Sequence, residues 1–156
     1  MFQVVPLKAQ DFAPLFALSD DELKARNIVS DIATNKPGYP CRVSLQNAEV
    51  GERVLLLNYE HQPANSPFRA SHAIYVREGA ETAEPRVNEI PEALAVSPML
   101  SVRAFTWDGM IQTAELTPGA DAAGVFSDLL AHDDVAYLHA HYAKYGCFAA
   151  KIVRAE

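Results

Sequence analysis

Five histidines and two cysteines are the side chains of this sequence best suited to chemistry, and they are unevenly spaced. His139 and His141 stand two apart in Tyr137-Leu138-His139-Ala140-His141-Tyr142. Residues two apart on an extended strand share a face, so both imidazoles point the same way, as in many β-sheet metal sites. A transition metal needs a third ligand, for which His61, His72, Cys41 and Cys147 are the imidazole and thiol candidates. The candidate metal set is His139, His141 and Cys147. Whether Cys147 belongs depends on the hairpin that joins the two segments: a four-residue loop pairs Tyr142 with Cys147 and turns the thiol to the opposite face. A five-residue loop pairs His141 with Cys147 and brings it to the same face. The plain alternative is a pair of exposed or hydrogen-bonded sheet histidines, because His-x-His alone is a short signal.

Cys41 precedes Arg42, which suggests a thiolate steadied by a cation with a histidine as base. On a strand the two side chains point to opposite faces, however, and the alternation Cys41, Val43, Leu45 fits a buried, inert thiol. Arg42, Arg69 and Arg103, with Tyr59, His61 and Ser66, form a second candidate set: a pocket for a small anionic or carboxylate ligand, if the central strands and the proline-rich loop after them meet at one edge. The alternative is arginines in surface ion pairs. Gly-rich phosphate loops, a Gly-x-Ser-x-Gly elbow, His-Glu-x-x-His and Cys-x-x-Cys are all absent from the sequence, and no particular cofactor is indicated.

The composition bounds what these residues can belong to. With 156 residues, 49% apolar and 21% charged, the chain has the length and content of one soluble domain with a single core. A net charge of −7 and scattered basic residues argue against nucleic acid as a partner and against an anionic membrane surface. Met1 to Leu18 has no basic leader, and the longest aliphatic run, Val54 to Leu57, is far too short to span a bilayer. The expected location is the cytoplasm, where both cysteines stay free thiols. An edge strand at Phe2 to Leu7 permits a homo-oligomer.

The elements that must position the candidate residues are mostly short strands. Ser19-Asp20-Asp21-Glu22 predicts a capping box and a helix to about Arg26. Strands are expected over Asn27 to Ala33, Cys41 to Leu45, Arg53 to Glu60 and His72 to Arg77, with His61 to Ala70 a loop packed by Phe68. Glu78 to Pro85 reads as the most flexible stretch. Pro91 starts a short helix over Glu92 to Ala95. Asp108-Gly109 predicts a type I′ turn between Met99 to Trp107 and Met110 to Leu116, with Trp107 opposite Met110 and Arg103 opposite Ala114. Val125, Phe126, Leu129 and Leu130 mark a helix, and a last hairpin closes around Ala143 to Gly146. The sum is an α+β domain spanning residues 1–156, with eight or nine strands in a mostly antiparallel sheet curled toward a barrel, and two or three short helices.

The segments Pro37-Gly38-Tyr39-Pro40-Cys41-Arg42-Val43-Ser44-Leu45, Gly51-Glu52-Arg53-Val54-Leu55-Leu56-Leu57-Asn58-Tyr59-Glu60-His61-Gln62, Ser66-Pro67-Phe68-Arg69-Ala70-Ser71 and Gly146-Cys147-Phe148-Ala149-Ala150, in this order, resemble the bacterial family of unknown function DUF1203. The resemblance implies a stand-alone bacterial single-domain protein and brings no catalytic residues with it. Two functions from different classes are therefore expected to compete. One is a module that binds a small anionic ligand or a protein partner through the arginines; the other is an enzyme or metal site built from the histidines and a cysteine.

Overall fold

The computed structural model describes all 156 residues. Eight strands form two antiparallel sheets. β1 (Phe2–Val5), β5 (Leu100–Phe105), β6 (Ile111–Thr117), β7 (Tyr137–Tyr142) and β8 (Phe148–Arg154) make a five-stranded sheet in the order β1-β8-β7-β5-β6. β2 (Val29–Ile32), β3 (Arg53–Gln62) and β4 (Ala70–Arg77) make the other, with β3 central. The α+β class and the strand count hold, but the barrel does not: each sheet keeps two open edges. Strand count alone does not decide closure, which needs a continuous ladder around the ring.

Alternation along the larger sheet, interrupted by bulges at Ala104/Phe105 and Ala140/His141, gives its faces opposite jobs. Val102, Ala104, Leu138, Ala140 and Ile152 are buried in a cluster with Phe126, Leu129 and Leu130 of helix α3 (Ala122–Leu130), which runs on the expected stripe. Phe2 meets Phe126 edge-to-face with ring centroids 5.4 Å apart. The other face carries Arg103, Phe105, Tyr137, His139, His141 and Phe148, and the C-terminal end of β3 packs against it. Phe148 belongs to the second core cluster, with Leu55, Leu57, Ile74 and Val76 of the smaller sheet. Polar side chains with uncommon chemistry are thereby enclosed between two sheets.

Local chemistry explains the remaining elements. Helix α1 (Asp20–Ala25) starts at a complete capping box: Ser19 Oγ accepts from the Glu22 amide at 3.2 Å, and the Glu22 carboxylate accepts from the Ser19 amide at 2.7 Å. Replacing Ser19 by alanine is expected to cost about 1 kcal/mol in urea unfolding with an unchanged slope. Helix α2 (Glu92–Ala95) follows Pro91, which caps it from just outside.

Four expectations change. Cys41 to Leu45 alternates like a strand yet folds as a tight loop: the Leu45 amide donates to the Cys41 carbonyl at 3.0 Å, and Leu45 takes φ +56°. Arg42 is buried along with its neighbours, so the alternation did not mark an exposed face. The β5–β6 hairpin has Arg103 opposite Ala114 as expected, but its turn is wider. Thr106 N–H donates to Met110, Gly109 N–H donates to Thr106, and only Gly109 has positive φ. That is a type I turn with a glycine bulge, and Trp107 has no cross-strand partner. The loop after β3 is anchored through Ser66, whose hydroxyl donates to the Gly109 carbonyl at 2.9 Å, while Phe68 stays exposed. Residues 78–85 are tied down, with the Ala83 amide on the Val43 carbonyl and Thr82 Oγ1 accepting from the Ala9 amide.

Candidate functional site

The face of β7 that looks toward β3 presents Tyr137, His139 and His141 in succession. The β3 end brings His61 into the same space. Ring nitrogens of His61, His139 and His141 all lie within 4.8 Å of one another. All three side chains are buried, at 9%, 2% and 1% exposure. Phe148 lies parallel to the His61 ring, with centroids 5.1 Å apart, and stands edge-on to His139 and His141, so one aromatic ring packs against all three imidazoles. Gln62 and Tyr137 close the adjacent space, the Gln62 amide donating to the Tyr137 hydroxyl at 2.9 Å.

Main-chain geometry sets the protonation of one ring. His141 Nδ1 stands 2.9 Å from the Gly146 carbonyl. A carbonyl only accepts, so Nδ1 carries the proton and Nε2 carries the lone pair. That Nε2 is sealed from solvent with no partner in the chain, and so are Nδ1 of His61 and Nδ1 of His139. Burial holds all three imidazoles neutral. It pushes His139 and His141 down to about 3, helped by their neighbouring histidines and by Arg103, and pushes His61 down to about 4. Neutral imidazoles grouped within ligand distance of one another, each with an unpartnered nitrogen, are what a metal ion requires.

The flanking charges are all positive. In register, His139 is bracketed by Arg103 on β5 and Lys151 on β8. Lys151 Nζ lies 4.4 Å above the Tyr137 ring. Neither cation takes part in any of the chain's ion pairs. His72 faces Tyr59 across β3–β4 and stands at the edge of the group, half-buried, with Nδ1 unpartnered.

The third member beside His139 and His141 is therefore His61, and Cys147 stands apart. The last hairpin uses the four-residue loop: the Tyr142 amide donates to the Cys147 carbonyl at 2.9 Å. A bulge at Ala140/His141 then pairs His141 with Phe148. The thiol follows Tyr142 away from the imidazoles. The arginines do not converge either. Arg69 is exposed and paired with Glu60 at 3.0 Å, and Ser66 is spent on its loop. Tyr59 packs between Phe12 and Phe148. Of the six candidate ligand-binding residues, His61 and Arg103 stand at the histidine group, and Arg42 lies elsewhere. Cys41 is buried at 1% exposure with its sulfur accepting from the Arg77 amide, the inert reading of that thiol.

The sequence profile of the family described as "Protein of unknown function (DUF1203)" matches residues 38–154. The chain belongs to the DUF1203 family. No curated protein and no solved structure matches it. The DUF1203 match contains all four histidines of the group and its edge, both cysteines and all three candidate arginines, and omits β1, α1 and β2.

Two of the hollows on the surface of this DUF1203 domain differ in what lines them. One, of about 570 Å³, lies beside residues 79–92 and carries four glutamates but neither histidine nor cysteine; it has no part in the chemistry above. The other, of about 850 Å³, runs past the β7–β8 turn and includes Arg42, His72, Tyr142 and Cys147. Neither the paired cations around His139 nor this groove was read from the sequence. Lys151 could have been found from β8 alternation alone, whereas Tyr39, Tyr75 and Tyr142 are brought together only by the fold. No helix is long and apolar enough to cross a membrane.

Proposed function

We propose that the protein is a metal-dependent enzyme whose centre is a first-row divalent ion held by His61, His139 and His141, acting on a small anionic substrate. The observation that carries this reading is the set of three buried neutral imidazoles with unpartnered nitrogens, one of them fixed in its tautomer by the Gly146 carbonyl. A carbonyl holding the distal N–H is the usual way a ligating histidine is oriented. Nitrogens about 2.0–2.1 Å from a tetrahedral ion are roughly 3.4 Å apart, so modest rotation of the rings closes the set. Three protein ligands leave a fourth position open, the arrangement of catalytic rather than structural sites.

Arg103 and Lys151 oppose a bare cation and favour one that carries an anion, whether a bound hydroxide or a substrate oxygen. Activation of water for attack on an anionic substrate held by the Arg103 fork is the chemistry this charge pattern supports. The test is uptake of Zn²⁺ or Co²⁺ by protein stripped with chelator, measured by elemental mass spectrometry and by the visible bands of the cobalt form. One ion per chain is expected for the wild type, with near-complete loss in His61→Ala and His141→Ala and retention in His72→Ala. Equal uptake by all four proteins would sink the assignment.

A further inference from the structure

We infer that the groove beside the β7–β8 turn is a second site, separate from the three imidazoles, and that it takes a small carboxylate with a flat or aliphatic apolar body. Arg42 is 3% exposed. Its Nε donates to the Phe148 carbonyl at 2.8 Å and its Nη1 to the Pro40 carbonyl at 2.6 Å. The guanidinium lies 5.1 Å from the Tyr142 ring centroid. These contacts lock the head group in place but supply no negative charge. Nη2 has no hydrogen-bond partner in the chain and is not among the sealed polar atoms, and Arg42 is part of the groove's lining.

An arginine stays charged even when buried, so a desolvated guanidinium without a carboxylate is costly, and natural sites rarely keep one without use. None of the 21 lining residues is acidic, in a chain of net charge −7. Lys144, at the turn, adds a second cation to the lining. Glu92 stands behind the wall with its carboxylate engaged by Asn47, so a bound anion is what would face Arg42 within the groove. The walls include Tyr39, Tyr75, Tyr142 and Met99, which suit a flat or aliphatic body, with a few polar groups, His72 and Asn47 among them, to orient it. Tyr142 is itself fixed: burial pushes its phenol up to about 12, and it donates to the Ala93 carbonyl at 2.9 Å.

Cys147 provides a reporter, because it lines the groove and is half-exposed whereas Cys41 is buried. The experiment follows alkylation of Cys147 by iodoacetamide in the wild-type protein with added benzoate, hexanoate or benzamide, read by peptide mass spectrometry. One of the two carboxylates is expected to slow the reaction at least fivefold with half-effect on the order of 1 mM, the strength suited to so few atoms, and benzamide to be at least tenfold weaker. Arg42→Met, checked by circular dichroism, is expected to lose that protection. Should the variant fail to fold, the comparison of benzoate with benzamide in the wild type decides alone. Equal protection by the neutral amide, or none by either carboxylate at 20-fold the expected half-effect (~20 mM), overturns the site.

Discussion

The metal-free protein is expected to lose roughly 3 kcal/mol of stability between pH 7.5 and pH 5, before most carboxylates titrate. The sign follows from where the protons go. Unfolded histidines titrate near 6.5, but burial holds His139 and His141 at about 3 and His61 at about 4 in the folded protein. Above 6.5 both states are neutral and the shift has no effect on stability. Below it the unfolded chain takes up protons that the native state refuses, so acidification favours unfolding until the native values are reached. The ideal figure at pH 5 is about 2 kcal/mol per ring; local opening that lets the native rings take up protons lowers it, and about 1 kcal/mol each is the working value. Urea unfolding at the two pH values with chelator present checks this. A flat profile would mean that the three rings are hydrated or paired in solution, and would remove the basis for calling them vacant ligands.

How much of this was legible beforehand depends on the range of the interactions involved. The His139–His141 pair is a local consequence of strand period, and so is the opposition of Arg103 to Ala114. The identity of the third imidazole is different. His61 reaches the pair only because the end of β3 packs on the second face of the five-stranded sheet, a contact between segments nearly 80 residues apart that no spacing rule encodes. Arg42 shows the same limit more sharply. Its local pattern matches a strand with one apolar face, yet it is buried because a carbonyl 106 positions away, that of Phe148, accepts its Nε–H. The turn at Asp108-Gly109 was recognisable as a turn, but the Thr106 hydroxyl hydrogen-bonds Asp108 and both main-chain groups of Met110, which selects the wider bulged form over the two-residue one. Three arginines that composition could only group together are thus assigned to three different environments: a surface ion pair, a histidine centre and a groove wall.

Replacing His139 by leucine is expected to have opposite effects on function and on stability. A residue kept for packing is destabilising to replace, whereas one kept for a ligand is often a burden on the empty fold. His139 is 2% exposed, among Phe105, Tyr137 and Phe148, and its Nδ1 finds no partner. An unsatisfied buried polar group costs about 1–3 kcal/mol, and leucine fills a similar volume without it. The metal-free variant should therefore melt higher than the wild type, by about 2–12 °C for a chain of this size, while its affinity for Zn²⁺ falls at least a hundredfold. His139→Ala separates the packing contribution, since the cavity it leaves should lower stability with the same loss of metal. Calorimetry of chelator-treated proteins beside metal titrations reads both quantities. A leucine variant that melts lower and still takes up the ion would show that His139 serves the core, and the centre would have to be rebuilt around His61, His141 and His72, whose Nδ1 is also buried and unpartnered.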